Sequence, residues 1–342
     1  NQEDSIIMNK TSLMIIIISL VVGVIIENQF DIFPNFLSKE DQNVEIREAP
    51  KWSDEFKIIE IKSPIDGALQ PAYFHKTKSA NPQPLIVSLH TWSNDYTQYD
   101  SINEFSLEKD YNYVHPNFRG VNNTKDACCS ELVISDIDAS IDFALENANV
   151  DTTRIYVIGM SGGGYATLAM FMKSKHRIKK FSSWVPLVDL VQWYEETKIL
   201  KLKYSTEILA CTQSKDGLLN EEMARQKSPI FWETPIKKLN YSTLEISTGI
   251  YDGMIGNGVI PITHSINFYN KLLSDLNVTD STKYVSDAEK LKLLEFRKPL
   301  DDFGQISGRE VILLKETNNI KLTLFEGGHE ILTKYAFEEL IK

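Results

Sequence analysis

A chain of 342 residues, 42% hydrophobic and 24% charged, can bury a sizeable core and has the composition of neither a disordered nor a fibrous protein. Its formal net charge of −11, from 36 Lys+Arg against 47 Asp+Glu, repels phosphate backbones, and with no basic stripe to offset it the balance argues against nucleic acid as a partner. No internal repeat or Gly/Ser-rich linker interrupts residues 50–342, which favours one large domain behind an N-terminal extension.

The N-terminal extension carries an apolar run from Leu13 to Ile26, broken only by Ser19 and Gly23 and preceded by Lys10. As a helix the run rises about 21 Å, short of the ~30 Å hydrocarbon core, so residues 1–30 read as a signal peptide. No small-x-small site follows Ile26, and a membrane anchor through residues 13–26 stays open. Either reading exports the protein, as a periplasmic, secreted or membrane-anchored chain. Residues 31–54 are polar and read as a tether. Three cysteines, Cys128, Cys129 and Cys211, allow one disulfide in an oxidising compartment, Cys211 pairing with either member of the vicinal pair.

From Phe56 the pattern becomes regular. Phe56–Lys62 alternates, Pro64–Gly67 is turn-like and Ala68–His75 can return beside it, an antiparallel hairpin. Short apolar runs then follow at Leu85–Leu89, Tyr113–Val114, Arg154–Ile158, Phe181–Val185, Leu244–Ser247 and Lys321–Phe325, the mark of strands buried on both faces. Helical patterns lie between most of them: Ser130–Asn147, with Leu132, Ile134, Ile137, Ile141 and Ala144 on its apolar face, then Tyr165–Lys175, Ile266–Leu276 and Tyr335–Ile341. This alternation predicts an α/β fold with a mostly parallel central sheet flanked by helices. Residues 190–235 are helical without a strand and read as an insertion over the sheet's C-terminal edge.

The chemistry gathers around Gly159-Met160-Ser161-Gly162-Gly163, a G-x-S-x-G motif directly after one strand and before a helix. Such a turn lifts the serine hydroxyl above the sheet, and the helix start aims backbone N–H groups at it. A serine needs a base to take its proton. His329, in Glu326-Gly-Gly-His-Glu330 after the last strand, is the candidate, with His264 as rival. The acid that orients the base is expected between them in chain order: Asp252 of Asp252-Gly253, with Asp189 as runner-up. The oxyanion would be held by the backbone N–H of Gly162 and by that of Thr91 or Trp92, in the loop after Leu85–Leu89. Trp92, Trp184, Trp193 and Arg119 lie near the same edge as substrate-binding candidates, each against an equal reading as core packing or a structural ion pair.

Together, Pro116-Asn-Phe-Arg-Gly120, Gly159-Met-Ser-Gly-Gly163, Tyr251-Asp-Gly253 and Gly327-Gly-His-Glu330 resemble the catalytic domain of the prolyl oligopeptidase family within the α/β-hydrolase superfamily. His90-Thr-Trp-Ser93 and Val259–Ser265 are similar to short exported hydrolases of bacterial polysaccharide-degradation gene sets. The resemblance covers residues 55–342 and implies an α/β-hydrolase catalytic domain with the triad Ser161, Asp252 and His329. Prolyl oligopeptidases carry a β-propeller ahead of this domain, for which about 55 preceding residues are too few. The expectation is therefore a serine hydrolase with an open site, a carboxylesterase acting on small-molecule or polysaccharide esters, without metal or organic cofactor. A serine peptidase of this family is the alternative, and a binding protein that keeps the hydrolase fold is the third reading.

Overall fold

The computed structural model describes residues 51–342, and Lys51–Lys342 form one compact unit. The signal or anchor segment, and the tether up to residue 50, lie outside the described residues.

The first half of the unit contains β1 (Lys57–Lys62), β2 (Leu69–His75), β3 (Gln83–Leu89), α1 (Ile102–Glu108), β4 (Asn112–Pro116), α2 (Glu131–Asn147), β5 (Val150–Met160) and α3 (Gly162–Lys173). Next come β6 (Lys180–Trp184), α4 (Leu190–Ile199), α5 (Tyr204–Cys211), α6 (Glu221–Gln226) and β7 (Thr243–Gly249). The chain closes with α7 (Thr263–Asp275), α8 (Asp287–Phe296), β8 (Gln305–Ile306), β9 (Arg309–Thr317), β10 (Ile320–Phe325) and α9 (Thr333–Leu340).

The ten strands form one sheet in the order β1-β2-β4-β3-β5-β6-β7-β10-β9-β8. The expected hairpin, β1 with β2, is antiparallel at one edge, and β10, β9 and β8 run antiparallel at the other. Between them β4, β3, β5, β6, β7 and β10 are parallel. Every residue of β4 and β6 is buried, the polar Asn112, His115, Lys180, Ser182 and Ser183 included. Helices α2, α3 and α7 contribute to the core on one face, while α1 and α9 cover the other, where Phe105 stacks on Phe337.

Two sequence expectations shift here. On α2 it is Val133, not Leu132, that is fully buried, and the acidic residues do not all face water. Asp136 and Asp138 are buried because each has partners: Arg119 Nε at 2.6 Å for Asp136, and Ser174 Oγ at 2.6 Å with the Lys175 N–H at 3.2 Å for Asp138. The segment 190–235 is helical as expected, built from α4, α5, α6 and a 3₁₀ turn at Pro229–Phe231. Among the described residues no helix is long and apolar enough to cross a membrane.

Candidate active site

The parallel register sets the site. Met160, Trp184, Ser247 and Thr323 lie in one row across β5, β6, β7 and β10, and Leu89 pairs with Gly159 one step back. Ser161, Asp252 and His329 therefore leave the same sheet edge within a few residues of that row, and Trp92 leaves it from β3. This is the edge where open α/β sheets bind ligands.

Ser161 occupies the turn from β5 into α3 with φ 57° and ψ −120°, a conformation costing a non-glycine residue of order 1–3 kcal/mol. Its N–H donates to the Trp184 carbonyl at 2.8 Å, which fixes the turn against β6. A Cβ on Gly162 would stand 2.3 Å from the backbone nitrogen of Trp92, so only glycine lets the helix start approach the β3 loop this closely. That approach brings two N–H groups to one place. Gly162 opens α3, where N–H groups have no partner within the helix. The Trp92 N–H donates to no protein acceptor among the described residues.

Thr91, the other sequence candidate, has its N–H committed: it donates to Gln98 Oε1 at 2.8 Å. Of the two expected donors in this loop, only Trp92 is free to face Ser161.

Asp252 is buried at the end of the turn that follows β7. His329 Nδ1 lies 2.8 Å from its Oδ2, and the Ile260 N–H donates to its Oδ1 at 3.2 Å. The imidazole is a fifth exposed, the carboxylate not at all. The segment 253–261 closes over the pair: the His329 N–H donates to the Asn257 carbonyl at 3.1 Å. Gly258, at φ +131°, passes so near that a Cβ there would fall 2.2 Å from Asp252 Oδ1 and 2.6 Å from His329 Cβ. No hydrogen bond links His329 to the Ser161 hydroxyl among the described residues.

The rival residues are occupied elsewhere. His264 is buried, its Nδ1 accepting the Val188 N–H at 3.2 Å and its Nε2 lying 3.0 Å from Glu196 Oε2. Asp189 caps α4 by accepting the N–H groups of Val191 and Gln192. His90 is buried and stacked on Phe118, with both ring nitrogens facing backbone carbonyls, and burial pushes its pKa down to about 4.

The structure engages the four substrate-binding candidates elsewhere, the three tryptophans by burial and the half-buried Arg119 by its ion pairs. Arg119 is engaged by Asp136, Asp66 and Ser63, tying the β1–β2 turn to α2 and holding Asp66 well below the usual carboxylate range. Trp184 packs on Phe325 and Tyr335, on the face that α9 covers. Trp193, on α4 of the helical insertion, meets Trp92 edge to face at 4.8 Å, and the indole N–H groups of Trp92 and Trp193 donate to Glu207 Oε2 and the Val259 carbonyl. None of the three indoles is more than 2% exposed, so none offers a face to a sugar ring. Gln98, Glu207 and Gly258, which shape the site, were missed from sequence. Only the glycine, in the run Gly253–Gly258, gave a local signal.

Comparison with known proteins supports the same picture. The prolyl oligopeptidase family model matches residues 97–272, just over half of the chain. No curated protein matches it. Among solved structures, the Pyrococcus horikoshii acylaminoacyl peptidase aligns over 65% of this chain and 35% of its own, with TM-score 0.51 and 21% identity. Oligopeptidase B from Leishmania major aligns over 84% and 36%, with TM-score 0.53 and 13% identity. Prolyl oligopeptidase B from Galerina marginata aligns over 70% and 36%, with TM-score 0.51 and 16% identity. At these identities the likeness is one of fold, and the chain spans about a third of the length of each. The match over residues 97–272, on a sheet whose order and strand–turn–helix turn at Ser161 agree with it, makes this chain a member of the prolyl oligopeptidase family, with the α/β-hydrolase fold.

Proposed function

We propose that the chain is a serine peptidase that works through an acyl-enzyme on Ser161. The observation that carries this reading is the buried Asp252 carboxylate 2.8 Å from His329 Nδ1, on the sheet edge that also presents Ser161. In the proposed mechanism the Ser161 hydroxyl attacks the scissile carbonyl while His329 Nε2 takes its proton. Asp252 holds the ring in the tautomer that leaves Nε2 free and stabilises the imidazolium. The N–H groups of Gly162 and Trp92 receive the developing oxyanion. His329 then protonates the leaving amine, and water releases the acyl group by the same route. Substrate binding tightens the Ser161–His329 contact, as catalytic hydrogen bonds often do on leaving the unliganded state.

Family membership favours a peptide bond over the ester expected from sequence, and the buried tryptophans offer no support for sugar esters. The Cys128–Cys211 disulfide is consistent with export to an oxidising compartment, which cell fractionation of the full chain tests.

The function test labels wild type and Ser161→Ala with a fluorophosphonate, reads intact mass, and compares aminoacyl-p-nitroanilide with p-nitrophenyl acetate turnover. The expected result is one label on wild type, none on the variant, and anilide cleavage that needs Ser161. Turnover of the ester alone would replace the peptidase reading with the esterase. A folded wild type that neither labels nor turns over would point to a binding protein.

A further inference from the structure

The backbone N–H proposed as oxyanion donor belongs to Trp92, and Trp92 is held at two points. Its carbonyl accepts from Asn122 N at 2.9 Å and from Asn122 Nδ2 at 3.4 Å. Its indole Nε1 donates to Glu207 Oε2 at 2.7 Å. Glu207 lies on α5, one turn before Cys211, the last residue of that helix. Cys211 is bonded to Cys128, and the Cys128 N–H donates to Asn122 Oδ1 at 2.8 Å. The supports thus form a closed circuit: Trp92 to Glu207, along α5 to Cys211, across the disulfide to Cys128, and through Asn122 back to Trp92. The neighbouring Ser93 joins it as well, its Oγ accepting from Lys203 Nζ at 2.7 Å, while Lys203 pairs with Glu207 at 3.1 Å.

We infer that Glu207 is a positioning residue for the oxyanion donor of Trp92, and that the Cys128–Cys211 disulfide ties that support in place. This rests on the peptidase mechanism proposed above. An oxyanion donor works only where it is aimed at the position the negative charge will occupy, and a misplacement of about 1 Å can cost of order 10²-fold in rate. The Trp92 N–H has no protein partner of its own to hold its direction, whereas Thr91 beside it is fixed by Gln98. The Thr91 carbonyl in the same peptide plane faces His90 Nδ1 at 3.0 Å and accepts from Asn94 N at 3.3 Å, and the Trp92 carbonyl and indole add the support on the other side. Removing the Glu207 carboxylate leaves a buried indole N–H unpaired, and the loop relaxes toward any geometry that satisfies it.

The test measures kcat and KM on the full chain for wild type, Glu207→Ala, Glu207→Gln, Trp92→Phe and the Trp92→Phe/Glu207→Ala double variant. Glu207→Ala is expected to lower kcat by about tenfold to a hundredfold with KM changed less than about twofold. Glu207→Gln keeps an acceptor and is expected to recover most of kcat. Trp92→Phe keeps the backbone donor but loses the indole N–H, so its loss and that of Glu207→Ala are expected not to add. Cys128→Ser/Cys211→Ser is expected to lower kcat in the same direction. A kcat for Glu207→Ala within about twofold of wild type, or fully additive losses, would overturn the inference. If Ser161→Ala still turns over substrate, the mechanism itself fails and the inference falls with it. If Ser161 is essential and Glu207→Ala is indifferent, only the positioning role fails.

Discussion

Asp252 Oδ2 and His329 Nδ1 are 77 residues apart in sequence and 2.8 Å apart in space, with the carboxylate wholly buried and the ring a fifth exposed. Burial leaves the carboxylate free of water, and the imidazole and the Ile260 N–H take its two oxygens. Replacing Asp252 by Asn keeps the shape but presents an amide that favours the other imidazole tautomer. The expected result is a fall in kcat of order 10⁴-fold with the circular dichroism spectrum unchanged. A loss below about tenfold would show that this pair does not orient the base.

Gly258 makes a second prediction. Its backbone runs so close over the pair that a methyl group would strike Asp252 Oδ1 and His329 Cβ, and its φ of +131° is one side chains avoid. Gly258→Ala must push either the loop or the pair aside. We expect kcat to drop by about 10²-fold or more, far beyond the change in the unfolding midpoint. Normal kcat in this variant would mean that the loop yields freely and the pair does not depend on it.

Arg119 gives the opposite pattern. Its guanidinium is spent on Asp66, Asp136 and Ser63, and Asp136 is buried. Lysine cannot reproduce the fork that reaches several acceptors at once. Arg119→Lys should lower stability by about 1–3 kcal/mol in denaturant titration while leaving KM unchanged for neutral and anionic substrates alike. A rise in KM confined to anionic substrates would return Arg119 to the substrate site.

Acid sensitivity follows from His90. Burial is the largest influence and holds its pKa near 4 in the folded state, although the facing carbonyls of Thr91 and Asn117 and the charge of Asp95 pull upward; His115 adds to the lowering. Below the ordinary value of about 6.5 the unfolded chain takes up a proton that the folded chain refuses, so stability falls from there down to about pH 4. The gap between 6.5 and about 4 corresponds to roughly 3 kcal/mol at full effect. Burial lowers His115 as well, which adds loss in the same direction. His90→Gln should show a shallower decline of the thermal midpoint between pH 7 and pH 4 than wild type; parallel declines would clear His90 of the effect.

Much of this was written locally in the chain. The Ser161 turn was legible because small residues, a preceding apolar strand and a following helix are all neighbours in sequence. The six central strands were legible because each holds a short run rich in apolar residues, though Ser182 and Ser183 interrupt β6 and Glu245 interrupts β7. The α8 helix escaped notice because it lies on the surface with only Leu293 buried, so no apolar period marks it. The β9 strand was overlooked although Val311-Ile312-Leu313 is a buried run and Asn318, at φ +55°, turns it into β10. The fates of Trp92 and Arg119 could not be read at all. Their partners Glu207 and Asp66 stand 115 and 53 residues away, and whether an indole or a guanidinium faces substrate or interior depends on those distant groups.

The Cys128–Cys211 bond also changes what a single cut in the polypeptide can do. The two sulfurs bracket Ser161, all of α3, β6 and α4, and the turn that leaves the end of α4, where Ile199, its last residue, is 76% and Leu200 44% exposed. A protease that nicks this exposed turn severs the backbone inside a covalent loop, and both fragments stay joined through sulfur. Under non-reducing conditions the nicked molecule keeps its mass apart from one added water. An exposed bend of the insertion can thus be hydrolysed without releasing the segment that bears the nucleophile.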